Sequence, residues 1–177
     1  MNYMMIRTDD MLNGDGLRVV LFCTACDHYC KDCHNPETWE SSNGMLFDEK
    51  AENEIYKELE KDYISGLTLS GGDPLNKNNL NTILDLCCKI KNKFPNKTIW
   101  LYTGSLWEEI YPCIVTDDFN VDRMLRKSII ELCDVVVDGE FDITKADANY
   151  KWAGSTNQRV IDVKETLLQN KIILYCE

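Results

Sequence analysis

Short apolar runs rich in β-branched residues alternate along the chain with longer stretches whose apolar positions recur every three or four residues. That is the rhythm of strands alternating with amphipathic helices. The runs predict strands at 17–23, 66–70, 98–103, 134–138, 158–163 and 172–175. The periodic stretches predict helices at 48–63, 78–94, within 122–132 and at 164–169. In the first helix Ile55 and Leu59 fall on the dry face, Lys50, Glu52 and Glu54 on the wet one, and Asp48 is placed to cap the N-terminus. No internal repeat or low-complexity linker interrupts the pattern, so the 177 residues read as one α/β domain over 1–177.

Strand–helix alternation favours a mostly parallel sheet, and in such folds active sites gather in the loops after the carboxyl ends of the strands. A cysteine-bearing loop follows the first predicted strand, Gly71, Gly72, Asp73 and Pro74 follow the second, Gly104 the third and Gly139 the fourth. The chemistry is therefore expected on one edge.

Composition narrows the classes. A net charge of −11, from 19 basic against 30 acidic residues, argues against nucleic-acid binding, which needs cations to displace phosphate counterions. No stretch approaches the roughly 20 apolar residues of a membrane helix. The first residues lack a basic region followed by an apolar one, so no secretory signal is visible and a cytoplasmic protein is expected. A chain of this size buries roughly 70% of its unfolded surface.

Nine cysteines, four of them between Cys23 and Cys33, suit a reducing compartment and a metal site better than a disulfide framework. Cys87, Cys88, Cys113, Cys133 and Cys176 are scattered and read as small buried hydrophobes. Cys26, Cys30 and Cys33 are spaced so that one loop can bring three thiolates to one cluster. A cubane cluster has four irons, so three thiolates leave one iron open to a small molecule. Two alternatives use Cys23 as well. A structural zinc site would pair Cys23 and Cys26 with Cys30 and Cys33, but only three residues separate the pairs, whereas zinc ribbons leave a dozen or more. A closed electron-transfer cluster would use all four, but the order differs from the ferredoxin pattern. Cys23 ends a strand, where it can point into the core.

Gly71 and Gly72 directly after an apolar strand read either as a plain turn or as a place where a ligand approaches the backbone. Exposed carbonyls and amides there suit the ammonium and carboxylate of an amino acid.

The spacing Cys26-x3-Cys30-x2-Cys33 resembles the signature of the radical S-adenosylmethionine enzymes, and Ser70 to Leu75 (Ser-Gly-Gly-Asp-Pro-Leu) resembles their glycine-rich motif. More narrowly, the chain is similar to the activating proteins of the anaerobic (class III) ribonucleotide reductases. The runs that carry this likeness begin at Asn13 (Asn-Gly-Asp-Gly-Leu-Arg), Cys33 (Cys-His-Asn-Pro-Glu-Thr-Trp), Trp100 (Trp-Leu-Tyr-Thr-Gly), Val137 (Val-Asp-Gly) and Gly154 (Gly-Ser-Thr-Asn-Gln-Arg-Val-Ile-Asp). The likeness runs from about Met11 to Asp162. One departure stands out: an aromatic residue often precedes the third cysteine, and here that residue is Asp32.

The resemblance implies a partial (βα) barrel open at one side, a 4Fe-4S cluster on Cys26, Cys30 and Cys33, and S-adenosylmethionine on the open iron. It implies His34, Asn35, Ser70, Gly71, Gly72, Asp73, Thr103 and Asp138 as cofactor-binding residues, with no further catalytic side chain. The implied reaction is reductive cleavage of S-adenosylmethionine to a 5'-deoxyadenosyl radical that makes a glycyl radical on the large reductase subunit. The implied electron source is a low-potential donor such as flavodoxin. The nearest rival is an activase of another glycyl-radical enzyme, such as pyruvate formate-lyase. Asn157 and Arg159 either contact ligand or partner or brace their loop. His28 reads as an exposed loop residue or a neighbour of the cluster, and Trp39, Trp100, Trp107 and Trp152 as core or lid packing.

Overall fold

The chain begins with an antiparallel pair, β1 (Asn2–Asp10) and β2 (Leu17–Cys23), and the two-residue β3 (Met45–Leu46) returns to the outer side of β1. Then α1 (Glu49–Leu59) leads to β4 (Ile64–Gly71), and α2 (Leu80–Lys93) to β5 (Thr98–Tyr102). A single turn, α3 (Trp107–Ile110), and α4 (Val121–Leu132) precede β6 (Val135–Asp138), and β7 (Arg159–Asp162) runs into α5 (Val163–Gln169). This computed structural model describes residues 1–111 and 120–176, so the expectation for Cys113 lies outside the described residues.

The seven strands form one sheet in the order β3-β1-β2-β4-β5-β6-β7, and the sheet is not closed. Its centre, β2-β4-β5-β6, is parallel, as the strand–helix alternation requires; both margins are antiparallel. β7 follows β6 through a connection that carries only a short 3-10 turn, Ile143–Lys145, in place of a crossover helix, and it runs antiparallel. The cysteine loop consequently follows the second strand, not the first, because β1 precedes it. The expected strand at 172–175 is a single bridge, Ile161 to Leu174. Asn170, with φ of 51°, ends α5 just before it, and the segment adds only a few hydrogen bonds to β7.

Period-two alternation sorts the side chains onto two faces. One face carries Val19, Leu21, Leu67, Leu69, Ile99, Leu101, Val136 and Ile161, packed against Ile55, Leu59, Ile83, Leu86, Ile90, Ile129 and Ile130 from the helices. The predicted cap holds: Asp48 Oδ1 accepts from the Ala51 amide at 3.0 Å. Cys87 and Cys133 sit in this core, but Cys88 is exposed and Cys176 half-buried, so those two are not packing residues. A helix buries one side only, and Cys87 and Cys88 lie on different sides of α2.

The other face is smaller. Trp100, Val135, Val137 and Val160 pack there with Tyr102, Trp152 and Ala153, and Trp107 lies in the main core. Arg18 is fully buried on this face, with Cζ 5.3 Å from the centre of the Trp100 ring. Among the described residues no carboxylate neutralises it at hydrogen-bond distance. Its guanidinium instead donates to Thr68 Oγ1 at 2.7 Å, Thr98 Oγ1 at 2.9 Å, and the carbonyls of Leu67, Thr98 and Asp15. Burial lowers its pKa to about 10, so it stays charged at neutral pH.

Candidate functional site

A cavity of about 530 Å³ opens at the carboxyl ends of the parallel strands. The cysteine loop after β2, Gly71 and Gly72 after β4, Thr103 and Gly104 after β5, and Gly139 after β6 all reach it, as the order of motifs along the chain predicts. Segment 148–154 forms a further wall, held in place by Tyr102, whose hydroxyl donates to the Trp152 carbonyl at 2.7 Å.

Cys26, Cys30 and Cys33 line this cavity together and are half-buried. The loop turns tightly enough because Ala25, Tyr29 and Asp32 adopt positive φ, of 72°, 50° and 57°. Each such turn costs about 1 kcal/mol or more for a side-chain-bearing residue. Backbone N–H groups point at the sulfurs: those of His28 and Tyr29 at Cys26, that of Phe141 at Cys30, and that of Asn35 at Cys33 at 3.4 Å. Burial pushes the Cys26 thiol up to about 11 and raises Cys30 as well, while these amides pull the other way. Amide donors around three thiols in one cavity suit thiolates bound to a cationic cluster. Among the described residues no three His, Cys, Asp or Glu side chains converge closely enough for a single metal ion. Cys23 is fully buried, its Sγ donates to the Ser70 carbonyl at 3.1 Å, and burial pushes its thiol far up. It is absent from the cavity wall.

The glycine loop is fastened to the backbone that carries the cysteines. Gly72 N–H donates to the Cys23 carbonyl and Asp73 N–H to the Ala25 carbonyl, both at 2.8 Å. A Cβ on Gly71, whose φ is 102°, would lie 2.5 Å from the Cys23 oxygen, and one on Gly72 would lie 2.7 Å from the Ala25 oxygen. Both glycines are thus demanded by close approach of two backbones, whatever else the loop holds.

Of the residues assigned to cofactor binding, His34, Asn35, Ser70, Gly71, Gly72 and Thr103 share the cavity wall with the three cysteines. Asp73 and Asp138 do not. Asp73 is buried; its Oδ1 accepts from the Leu75 amide at 2.8 Å and its Oδ2 from Thr103 Oγ1 at 3.0 Å. Asp138 is fully buried, accepts from the Trp107 amide at 2.8 Å and from Arg159 Nε at 2.9 Å, and forms an ion pair with the same guanidinium. Arg159 also grips Glu108, and Asn157 donates to the Glu140 carbonyl at 2.9 Å, so both residues brace their loop.

Two residues gain roles that the sequence left open. His28 Nε2 lies 2.8 Å from Asp73 Oδ2 and Nδ1 lies 3.1 Å from Glu140 Oε1. The hydrogen bond to Asp73 is the largest cause, with Glu140 adding to it, of a pKa raised to about 9, so at neutral pH an imidazolium donates to both. Its ring lies over Gly104, where a Cβ would approach it to 2.5 Å. Phe141 lines the cavity with its ring 4.8 Å from that of His34. The signal for His28 was its position between two ligand-type cysteines; for Phe141 no local signal exists.

Among the described residues, no helix is long and apolar enough to cross a membrane. The model of a 4Fe-4S single cluster domain matches residues 12–161. The chain is 38% identical to the anaerobic ribonucleoside-triphosphate reductase-activating protein of Pasteurella multocida, over 89% of this chain and 95% of that one. It is 39% identical to the protein of the same name from Enterobacteria phage T4, over 90% and 93%. With that of Escherichia coli K12 the identity is 36%, over 90% and 97%.

Proposed function

The chain belongs to the family of anaerobic ribonucleoside-triphosphate reductase-activating proteins, and on that premise we propose that it is a radical S-adenosylmethionine activase that makes a glycyl radical on the large subunit of the anaerobic ribonucleotide reductase. The observation that carries the reading is the arrangement of Cys26, Cys30 and Cys33 in one cavity beside Gly71 and Gly72, with Cys23 turned into the core. Three ligands, and not four, leave a coordination position open. The open sheet is compatible with the partial barrel of the radical S-adenosylmethionine enzymes.

When bound, a 4Fe-4S cluster supplies the electron that breaks a carbon–sulfur bond of S-adenosylmethionine. The protein's own residues hold and position. Cys26, Cys30 and Cys33 would grip the cluster, and the amides beside Cys26 and Cys30 offset part of the burial that raises those two thiols. The turn at Ser70 to Gly72 would offer carbonyl oxygens to the ammonium of the methionine moiety, and His34 with Phe141 would flank the adenine. Asp73 orients Thr103 and His28 from behind. Hydrogen abstraction needs reacting atoms roughly 3 to 3.5 Å apart, so a glycine loop of the partner must enter the cavity mouth. Met11 and Leu12, strongly exposed apolar residues on that wall, provide a surface for it. A low-potential donor such as flavodoxin would supply the electron.

Electron paramagnetic resonance on anaerobically reconstituted, reduced protein tests the reading. A reduced-cluster signal that changes shape on adding S-adenosylmethionine is expected. A signal indifferent to the ligand would make the protein an electron carrier, and zinc without iron or sulfide would end the radical reading.

A further inference from the structure

We propose that Gln158 is a positioning residue for the cavity: its side-chain amide closes the neck of the connection between β6 and β7 and so sets the wall 148–154 against which S-adenosylmethionine seats. The inference deepens the reading above and rests on it. The connection 139–158 carries little regular structure, the turn Ile143–Lys145 and the bridge between Ala146 and Ser155. Connections longer than about 12 to 15 residues without a helix or strand of their own are uncommon in compact domains, and many of them are binding loops or lids. This one gives Gly139, Phe141 and the segment 148–154 to the cavity. Within it Trp152 holds a φ of 59°, a strained value for a residue with a side chain, which persists only where the surroundings impose it. From β5 the Tyr102 hydroxyl imposes it, by its bond to the Trp152 carbonyl.

Gln158 holds the segment at its base. Its Oε1 accepts from the Gly154 amide at 2.9 Å and the Ser155 amide at 3.2 Å, and its Nε2 donates to the Gly139 carbonyl at 2.9 Å. Gly139 and Gly154 both line the cavity, so one side chain ties the point where the connection leaves the site to the point where the wall ends. The tie needs an amide. Two N–H groups require an acceptor and a carbonyl requires a donor, and at neutral pH a side chain of this length offers both only as glutamine. The Gln158 carbonyl also accepts from the Tyr150 hydroxyl at 3.2 Å, a second hold on the wall. Gln158 itself borders the cavity, but its amide oxygen is spent on two backbone N–H groups, so it acts through the wall. A wall left loose has to be ordered when a ligand seats on it, and that cost is subtracted from the affinity.

The test uses the full chain with Gln158→Glu, which keeps an acceptor for Gly154 and Ser155 but sets an oxygen against the Gly139 carbonyl, and with Gln158→Met, which keeps the length and removes both functions. Amide hydrogen exchange, iron content and titration of the reduced-cluster resonance with S-adenosylmethionine are read on the same preparations. The expected result is full iron, faster exchange confined to 139–158, and S-adenosylmethionine binding weaker by roughly 2- to 10-fold for each hydrogen bond lost. Saturating S-adenosylmethionine should slow the wall's exchange again, because a ligand seated on it orders it. If Gln158→Met does not fold, the glutamate variant alone decides. Unchanged affinity with a loosened wall overturns the inference, and so does weaker binding with unchanged exchange, which would put the Gln158 amide on the ligand itself. Faster exchange spread through β6 and β7 together with loss of iron would make Gln158 a general structural residue and also overturn it. Unaltered protein that holds its cluster but ignores S-adenosylmethionine would end the radical reading, a separate outcome.

Discussion

His28 Nε2 stands 2.8 Å from Asp73 Oδ2, so the ring from the middle of the cysteine loop is clamped to the carboxylate that follows the two glycines. The two motifs are joined by this contact as well as by the paired backbones on either side of it. Removing the clamp with His28→Ala is expected to cost about 1.5–3 kcal/mol, the range for a hydrogen bond to a charged group. It should also speed loss of iron from the reconstituted protein. Gly104→Ala should act in the same direction, because its Cβ would meet the His28 ring at 2.5 Å. Urea unfolding and timed iron release check both. Iron retention equal to that of the unaltered protein in both variants would leave His28 without a role in holding the loop.

The cysteines divide three to one. Changing Cys26, Cys30 or Cys33 to Ala is expected to abolish the reducible cluster, whereas Cys23→Ala should keep it at a stability cost of about 1 kcal/mol from its lost packing. Iron and sulfide analysis with resonance spectra separates the outcomes. A cluster lost with Cys23 would restore the four-cysteine alternative.

Gly72→Val is expected to weaken both S-adenosylmethionine binding and cluster retention. The reason is that its Cβ would lie 2.7 Å from the Ala25 oxygen and 3.0 Å from the Thr38 oxygen, and both are backbone atoms that cannot swing aside. Equilibrium binding of the ligand and iron content, measured on the same preparation, check this. Intact iron with weakened binding would separate the two functions that the packing couples.

Arg159→Leu leaves the Asp138 carboxylate buried without its cation, which is expected to cost about 3–5 kcal/mol. Asp138→Asn in the same chain should recover part of that loss. Arg159 also holds the Glu108 carboxyl below its ordinary range. A depressed folded-state pKa means that this contribution is present above the unfolded value and disappears as the pH falls through the folded one. Stability curves from neutral to acid pH should therefore be flatter in the leucine variant, and curves of equal slope would remove Glu108 from the account.

Much of the site was legible because its determinants are local. Short apolar, β-branched runs located β2, β4, β5 and β6, and the turn residues that follow such runs fall on one edge of a parallel sheet. The spacing of Cys26, Cys30 and Cys33 put three thiols on one loop, and that loop does bring the three to one cavity. Long-range partners were not legible. β1 carries Met, Arg, Thr and Asp with no clean alternation, and it is a strand because β2 and β3 pair with it. Asp138 and Arg159 both ended up in a buried ion pair because β7 runs antiparallel to β6, a direction that no residue in either strand specifies. Arg18 stands near the start of β2 with no sequence signal for burial, yet it lies buried under Trp100 and donates five hydrogen bonds to four residues. The sequence alone determined which residues can do chemistry and on which edge they lie, because periodicity and short spacings act through the chain itself. Only the tertiary structure decided which of those residues face the cavity and which hold the others in place, because burial and hydrogen-bond partners come from segments far apart in sequence.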